Sequence, residues 1–408
     1  MTHDYHLSHV IQSVLENRRF YVELCGKKSR WRCQQNGLPQ GSVLAPTLFN
    51  IYTNDQPFHP KCRSFLYADD LCITAQDKDF DSIERSLTSA LSDLSGYYSR
   101  NCLRANPSKT QTIAFHLRHR EANRKLRITW NGTEIEHHPN PVYLGVALDR
   151  TLTYRAHVEK TRGKVGARNN ILRRLANTKW GANPSTLRST ALALCYSTAE
   201  YACPVWERSS HAKKLDSVLN ESCRCTTGCL KPTPINSLYR LGGIAPPDIR
   251  RAAASGHKRT RQLVDPRHPL FGQTGAARRL KSRRSFMSVS PLGSTAAAAR
   301  MDLWHDRLDN TDAIDNLNLV LGEHLPTGGD LDWTTWKSLN RLRTRTGRCK
   351  ANMDKWGYSS EGELCNCGET QTMEHLLKCQ LLGEECTMED LCTVTDRAIA
   401  CARYWRDI

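Results

Sequence analysis

Along the first 150 residues the apolar positions switch between strand-like runs and helical spacing. Phe20-Tyr21-Val22-Glu23-Leu24, the polar break Gly26-Lys27-Lys28-Ser29 and the return Trp31-Arg32-Cys33-Gln34 predict a hairpin. Val43, Leu44, Phe49, Ile51 and Tyr52 predict a helix over 43–54. Phe65-Leu66-Tyr67 and Leu71-Cys72-Ile73-Thr74 flank Ala68-Asp69-Asp70. Aspartate favours turns over strands, so this segment reads as a tight hairpin with acids at its tip. Ile83, Leu87, Ala90, Leu91, Leu94, Tyr97 and Tyr98 recur every three or four residues and predict a helix over 81–101, capped by Asp81 or Ser82. Ile113–Phe115 and Tyr143–Val146 read as strands. Between them, Asn131-Gly132 sits inside an apolar alternation, as a type I′ hairpin turn requires.

Beyond residue 150 the pattern is helical. Val158, Val165, Ile171, Leu172 and Leu175 define one face of a helix whose other face carries Arg162, Lys164, Arg168, Arg173, Arg174 and Lys179. A second helix is expected over 187–201, stopping near Pro204. Residues 251–332 read as a basic, partly disordered linker, because cations, alanine, serine and glycine dominate its first part. Residues 333–408 form a small final unit.

Charge sharpens this division. The 408 residues carry 58 Lys and Arg against 41 Asp and Glu, a net charge of +17. Residues 1–150 are net +4, residues 151–300 net +20 and residues 301–408 net −7. A basic middle third points to a polyanionic partner, with nucleic acid the commonest. No apolar run approaches the roughly 20 residues that span a bilayer, and the N-terminus lacks a signal peptide's layout, so membrane and secreted roles are excluded at this level. The 17 cysteines are odd in number and scattered, as expected of reduced thiols in an intracellular protein.

Two constellations carry chemistry. Adjacent carboxylates Asp69 and Asp70 at a rigid tip repel one another until a cation neutralises them, and magnesium with substrate phosphates suits that geometry. Near the C-terminus, Cys365 and Cys367 form a Cys-x-Cys turn, with His375 and Cys379 one helical turn apart further on. Three thiolates and an imidazole match the tetrahedral preference of structural zinc. Cys223, Cys225 and Cys229 lack a fourth ligand and read as core thiols. Arg341, Arg343, Arg345 and Arg348, with Trp333, Trp336 and Trp356, are either a nucleic-acid contact strip or a helix face packed on its tryptophans. Lys281-Ser282-Arg283-Arg284 has the composition of a nuclear address.

Upstream of the acidic tip stands Gly37-Leu38-Pro39-Gln40-Gly41-Ser42-Val43-Leu44-Ala45-Pro46. Together with Phe65-Leu66-Tyr67-Ala68-Asp69-Asp70 it resembles the reverse transcriptase of non-LTR retrotransposons, the jockey-like branch in particular. Asn106-Pro107-Ser108-Lys109-Thr110, Tyr143-Leu144-Gly145-Val146 and Tyr201-Ala202-Cys203-Pro204-Val205-Trp206 are similar to later segments of that family, whose members also carry a Cys-x-Cys, His, Cys knuckle. The resemblance implies an α+β fold. Its parts are a partial right-hand polymerase palm over 1–150, an α-helical thumb over 151–250, the linker over 251–332 and a zinc-knuckle unit over 333–408. It implies RNA-directed DNA polymerase chemistry, in which a primer 3′-hydroxyl attacks the α-phosphate of a deoxynucleotide on an RNA template. Asp69 would bind catalytic magnesium, Asp70 would support the site, and Lys109 would stand near the leaving pyrophosphate. Gln40, Gly41 and Tyr67 would contact nucleotide or template.

One departure stands out. The family's palm holds a further metal-binding Asp on an earlier strand, and the only earlier acids here are Asp4, Glu16 and Glu23. The expectation is therefore an N-terminally truncated enzyme, inactive alone and complemented by a full-length element protein. A non-catalytic RNA or RNA–DNA binding module and a decayed element copy are the competing readings.

Overall fold

The computed structural model describes residues 5–177, 181–276, 284–293, 295–309, 317–358 and 362–408. The chain divides into two compact units, residues 1–145 and residues 146–408. The expected linker boundaries at 250 and 332 do not separate bodies of their own within the second.

The first unit opens with helix α1 (Tyr5–Leu15) and a long hairpin. Strand β1 (Arg19–Phe20) pairs antiparallel with β4 (Arg32–Cys33), and β2 (Glu23–Leu24) with β3 (Lys27–Lys28). The hairpin turns at Cys25-Gly26, both at positive φ, which is tighter than the turn expected over 26–29. Helix α2 (Ala45–Tyr52) follows, with Pro46 in its first turn, where no amide donor is lost. Then β5 (Cys62–Tyr67) and β6 (Asp70–Ala75) pair over their full length, from Cys62↔Ala75 to Tyr67↔Asp70.

Helix α3 (Phe80–Arg100) is the backbone of this unit. Its cap is Asp79, whose carboxylate accepts from the Ser82 amide, two residues before the nearer of the expected candidates. Its apolar stripe buries Leu91 and Leu94 against Ala114, Leu126, Ile128, Trp130 and Ile135, and Leu71 and Ile73 of β6 pack on the same cluster. The acidic hairpin is thus seated on α3 through one face of β6. Strand β7 (Gln111–Thr112) lies just before the expected strand at 113–115 and pairs in parallel with β10 (Glu136–His137). Strands β8 (Thr129–Trp130) and β9 (Thr133–Glu134) close on Asn131-Gly132 at φ 49° and 77°, the double positive φ of a type I′ turn. Residues 143–146 do not run straight: Leu144 and Gly145 take φ 45° and 78°.

The second unit is helical. Helix α4 (Arg155–Leu175) buries Val158, Thr161, Val165, Asn169 and Leu172. Ile171, expected in that stripe, is exposed. Asn169 sits in the core instead, donating to the Val218 carbonyl at 2.8 Å and accepting from Ser222 Oγ at 2.6 Å. Lys179 lies outside the described residues. Helix α5 (Pro184–Thr190) runs through a π turn, Ala191–Tyr196, into α6 (Ser197–Glu200). This helix ends before Pro204. The break comes at Ala202, φ 51°, and Pro204 sits in the first turn of α7 (Cys203–Trp206). Helix α8 (Lys214–Thr227) completes the core around Leu219, Tyr196 and Ile244, and α9 (Ile235–Gly242) packs Leu238, Tyr239 and Leu241 into a second cluster with Cys223 and Ile249.

The expected linker over 251–332 is corrected by two helices, α10 (Pro247–Val264) and α11 (Ala296–Asp309). Helix α10 buries Ile249, Ala253, Ser255, Gly256 and Gln262, and Arg251 pairs with Asp216 at 2.7 Å. Its small buried residues allow close packing, which a count of cations alone hides. Lys281, Ser282 and Arg283 lie outside the described residues. The last segment holds α12 (Trp333–Arg343), α13 (Lys350–Lys355), α14 (His375–Lys378), α15 (Met388–Thr393) and α16 (Asp396–Tyr404). Among the described residues no helix is long and apolar enough to cross a membrane.

Candidate active site and metal centre

The carboxylates Asp69 and Asp70 occupy the tip of the β5–β6 hairpin. Only Ala68 and Asp69 lie outside the ladder, and Ala68 takes φ 51°. The Tyr67↔Asp70 pair closes the strands immediately beside the turn. Tyr67, Asp69 and Asp70 are all exposed, and neither carboxylate forms an ion pair among the described residues. The Tyr143 hydroxyl donates to the Phe65 carbonyl at 3.2 Å, bracing the outer strand. Burial, with Cys72 and Asp70 nearby, pushes that hydroxyl's pKa up. Tyr143 was assigned to a strand by the sequence pattern, and its place beside the acidic hairpin was not foreseen.

Gln40 and Gly41 lie in the turns before α2, with Gly41 at φ 86°, and both are exposed. Lys109 ends the single 3-10 turn Pro107–Lys109 and is also exposed. Among the described residues no hydrogen bond or ion pair joins Gln40, Gly41 or Lys109 to Tyr67, Asp69 or Asp70. Nor, among the described residues, does any third carboxylate gather with Asp69 and Asp70 as a metal-ligating group: the one set of three or more His, Cys, Asp or Glu donors found among them lies elsewhere.

That set is Cys365, Cys367, His375 and Cys379, whose ligand atoms all fall within 4.8 Å of one another. Cys365 and Cys367 stand on a tight loop closed by the Cys365 amide to the Glu369 carbonyl at 2.7 Å and the Gly368 amide to the Cys365 carbonyl at 2.9 Å. His375 starts α14 and Cys379 follows its last residue, so one helical turn brings both to the loop. The sulfurs of Cys365 and Cys379 are 3.8 Å apart, and Cys367 Sγ is 3.3 Å from His375 Nε2. A tetrahedral ion with metal–sulfur bonds of about 2.3 Å sets its sulfurs about 3.8 Å apart, so the donor set fits zinc in chemistry and in span. His375 Nδ1 lies 2.9 Å from Glu369 Oε2, leaving Nε2 directed at the thiols. Spacing in the sequence could not reveal Glu369, because that contact is made across the loop. Burial opposes ionisation of Cys365, but the Cys367 amide, His375 and Gln371 outweigh it and bring its pKa to about 6. Burial and the neighbouring thiols push Cys379 up to about 11.

The arginine strip is largely not a surface. Arg341, Arg343, Trp333 and Trp336 are buried, leaving Arg345 and Arg348 exposed. Arg343 donates to the carbonyls of Leu391 at 2.8 Å and Thr327 at 2.9 Å, and lies over the Trp336 ring. Cys223, Cys225 and Cys229 are buried core thiols, and burial pushes Cys225 up to about 12.

Residues 2–148 match the family model described as reverse transcriptase (RNA-dependent DNA polymerase). Through this segment the chain is similar to reverse transcriptases, that of the mobile element jockey among them. The chain is 32% identical over 160 residues to the RNA-directed DNA polymerase from mobile element jockey of Drosophila melanogaster, covering 36% of this chain and 17% of that protein. It is 29% identical over 233 residues to the "Probable RNA-directed DNA polymerase from transposon BS" of the same species, covering 54% of this chain and 25% of that one. A longer alignment, 26% identical over 370 residues, reaches the retrovirus-related Pol polyprotein from type-1 retrotransposable element R1 of Bradysia coprophila, covering 87% and 35% respectively. The chain therefore spans about a third or less of the length of these relatives. No solved structure matches it. The reverse transcriptase match ends close to the border between the two compact units, so it coincides with the unit that carries the acidic hairpin.

Proposed function

We propose that this chain carries palm, thumb and C-terminal knuckle segments of a non-LTR RNA-directed DNA polymerase. The observation that carries the reading is Tyr67-Ala68-Asp69-Asp70 closing the two-residue turn of a hairpin seated on α3. In this reading Asp69 holds magnesium at the primer terminus and Asp70 supports it, both being exposed and, among the described residues, free of ion pairs. Magnesium, when bound, neutralises the phosphate charge that develops as the primer hydroxyl attacks and pyrophosphate leaves. Gln40, Gly41 and Tyr67 contact the nucleotide or template, and Lys109 answers the pyrophosphate charge. Cys365, Cys367, His375 and Cys379 hold structural zinc. Helices α4 to α9 form the thumb, with RNA template and DNA primer as partners and deoxynucleotides as substrates.

Two carboxylates without a third hold magnesium weakly. The purified chain should therefore bind an RNA–DNA hybrid but not extend its primer unaided, and a full-length element protein would complement it. Magnesium-dependent extension by the chain alone, abolished by Asp69→Ala, would show that the present carboxylates suffice. The reading as a binding module is favoured by the net +20 of residues 151–300. It gains if Asp69→Ala leaves both hybrid binding and complementation untouched.

A further inference from the structure

We propose that the Cys/His cluster is a folding element of the whole helical unit rather than of a detachable knuckle. Metal loading fixes α14, α14 fixes α12, and α12 closes the C-terminal end of α8. The proposal rests on the zinc reading above.

Helix α8 ends at Thr227, with Gly228 at φ 71°. A helix end leaves carbonyls without intrahelical donors. Here α12 supplies three: Trp336 Nε1 donates to the Thr226 carbonyl at 3.2 Å, Asn340 Nδ2 to Thr227 at 3.0 Å and Arg341 Nε to Gly228 at 2.8 Å. The approach is close. A Cβ on residue 228 would stand 2.5 Å from Lys337 Cγ and 3.0 Å from its Cα, so only glycine fits.

The other side of α12 is tied to the metal ligands. Leu339 and Leu342 share one buried cluster with Leu376 and Leu377 of α14. The Leu376 carbonyl accepts from Trp405 Nε1 at 2.8 Å, and the Leu377 carbonyl from the Cys386 amide at 2.8 Å. Helix α14 has only four residues, beginning at ligand His375 and followed by ligand Cys379. A single turn has no stability of its own. Packing and ligation must hold it, and it carries two leucines into the core that α12 needs. Helix α8 in turn packs along α4, whose exposed side presents Arg155, Lys160, Lys164 and Arg174. Metal occupancy thereby bears on the order of the helical pair offered to a polyanion.

The test is hydrogen exchange on the full chain, zinc-reconstituted and then chelator-treated, with zinc content measured in parallel. Chelation should speed exchange roughly tenfold or more in residues 219–228 as well as in 363–380. The zinc-loaded Asn340→Ala variant should speed exchange in 219–228 alone, with zinc content unchanged. A gain confined to 362–386, with 219–228 unmoved, overturns the proposal and leaves the zinc reading standing. A reconstituted wild-type chain that holds no zinc overturns both.

Discussion

His375 Nδ1 and Glu369 Oε2 lie 2.9 Å apart, which aims the opposite ring nitrogen at Cys367 Sγ. A carboxylate behind a ligating imidazole fixes its tautomer and raises its basicity, and losing such a partner typically weakens metal binding about 10–100-fold. Glu369→Ala should therefore lower zinc affinity by that factor in a competition titration with a chromogenic chelator. The Cys365→Ser, Cys379→Ser double variant should lose stoichiometric binding altogether. An affinity within about twofold of wild type for Glu369→Ala would deny the carboxylate this role.

Asp332 caps α12, accepting from the amides and hydroxyls of Thr334 and Thr335. Burial works against its ionisation, but those four donors prevail and bring its pKa from 3.8 to about 2. A depressed carboxylate contributes stability that is fully present above the unfolded value of 3.8 and is lost as pH falls towards 2. Asp332→Asn keeps a capping oxygen but removes the charge, so it should flatten the acid limb between those pH values. Asp332→Ala should also cost about 0.5–2 kcal/mol at neutral pH. Urea midpoints measured across pH 2–6 read both effects, and parallel acid limbs for wild type and Asp332→Asn would exclude the carboxylate as their source.

Leu94 lies at the centre of the cluster that seats the acidic hairpin on α3. Leu94→Ala should destabilise the first unit by about 2–5 kcal/mol, because it leaves a cavity beneath β6. Hydrogen exchange of the α3 amides with increasing denaturant, which reads the first unit by itself, measures this directly.

Lys160 and Lys164 project from the exposed side of α4. If they meet phosphates, Lys160→Gln with Lys164→Gln should weaken hybrid binding without regard to sequence and lower the salt slope by roughly 2. An unchanged slope would place the polyanion contact elsewhere.

What the sequence disclosed was whatever depends on near neighbours. Asn131-Gly132 needs only its own two φ angles to make a turn, and the α3 stripe needs only its own spacing, so both were visible. The Cys/His cluster was visible because two pairs of ligands are each local. The misreadings came from partners far along the chain. Arg343 stayed open between a nucleic-acid strip and a helix face packed on its tryptophans, because the carbonyls that decide for the second are at 327 and 391. Residues 251–264 looked like linker because charge dominated the count, while the buried face of α10 is built from residues as small as Ala253 and Gly256. Asp79 was passed over as the α3 cap because Asp81 and Ser82 offered equally suitable side chains within three residues.

The Tyr67↔Asp70 pair leaves the loop between β5 and β6 no slack. Strand side chains alternate faces, so deleting one residue there would send every later side chain of β6 to the opposite side. Leu71 and Ile73 would trade places with residues that cannot fill the α3 groove, and Asp70 would point away from its present side. Shortening by one residue is thus closed to this loop. Lineages descending from this sequence cannot trim the tip without unseating β6 from α3, and an alignment of them should show no single-residue deletion between residues 66 and 71.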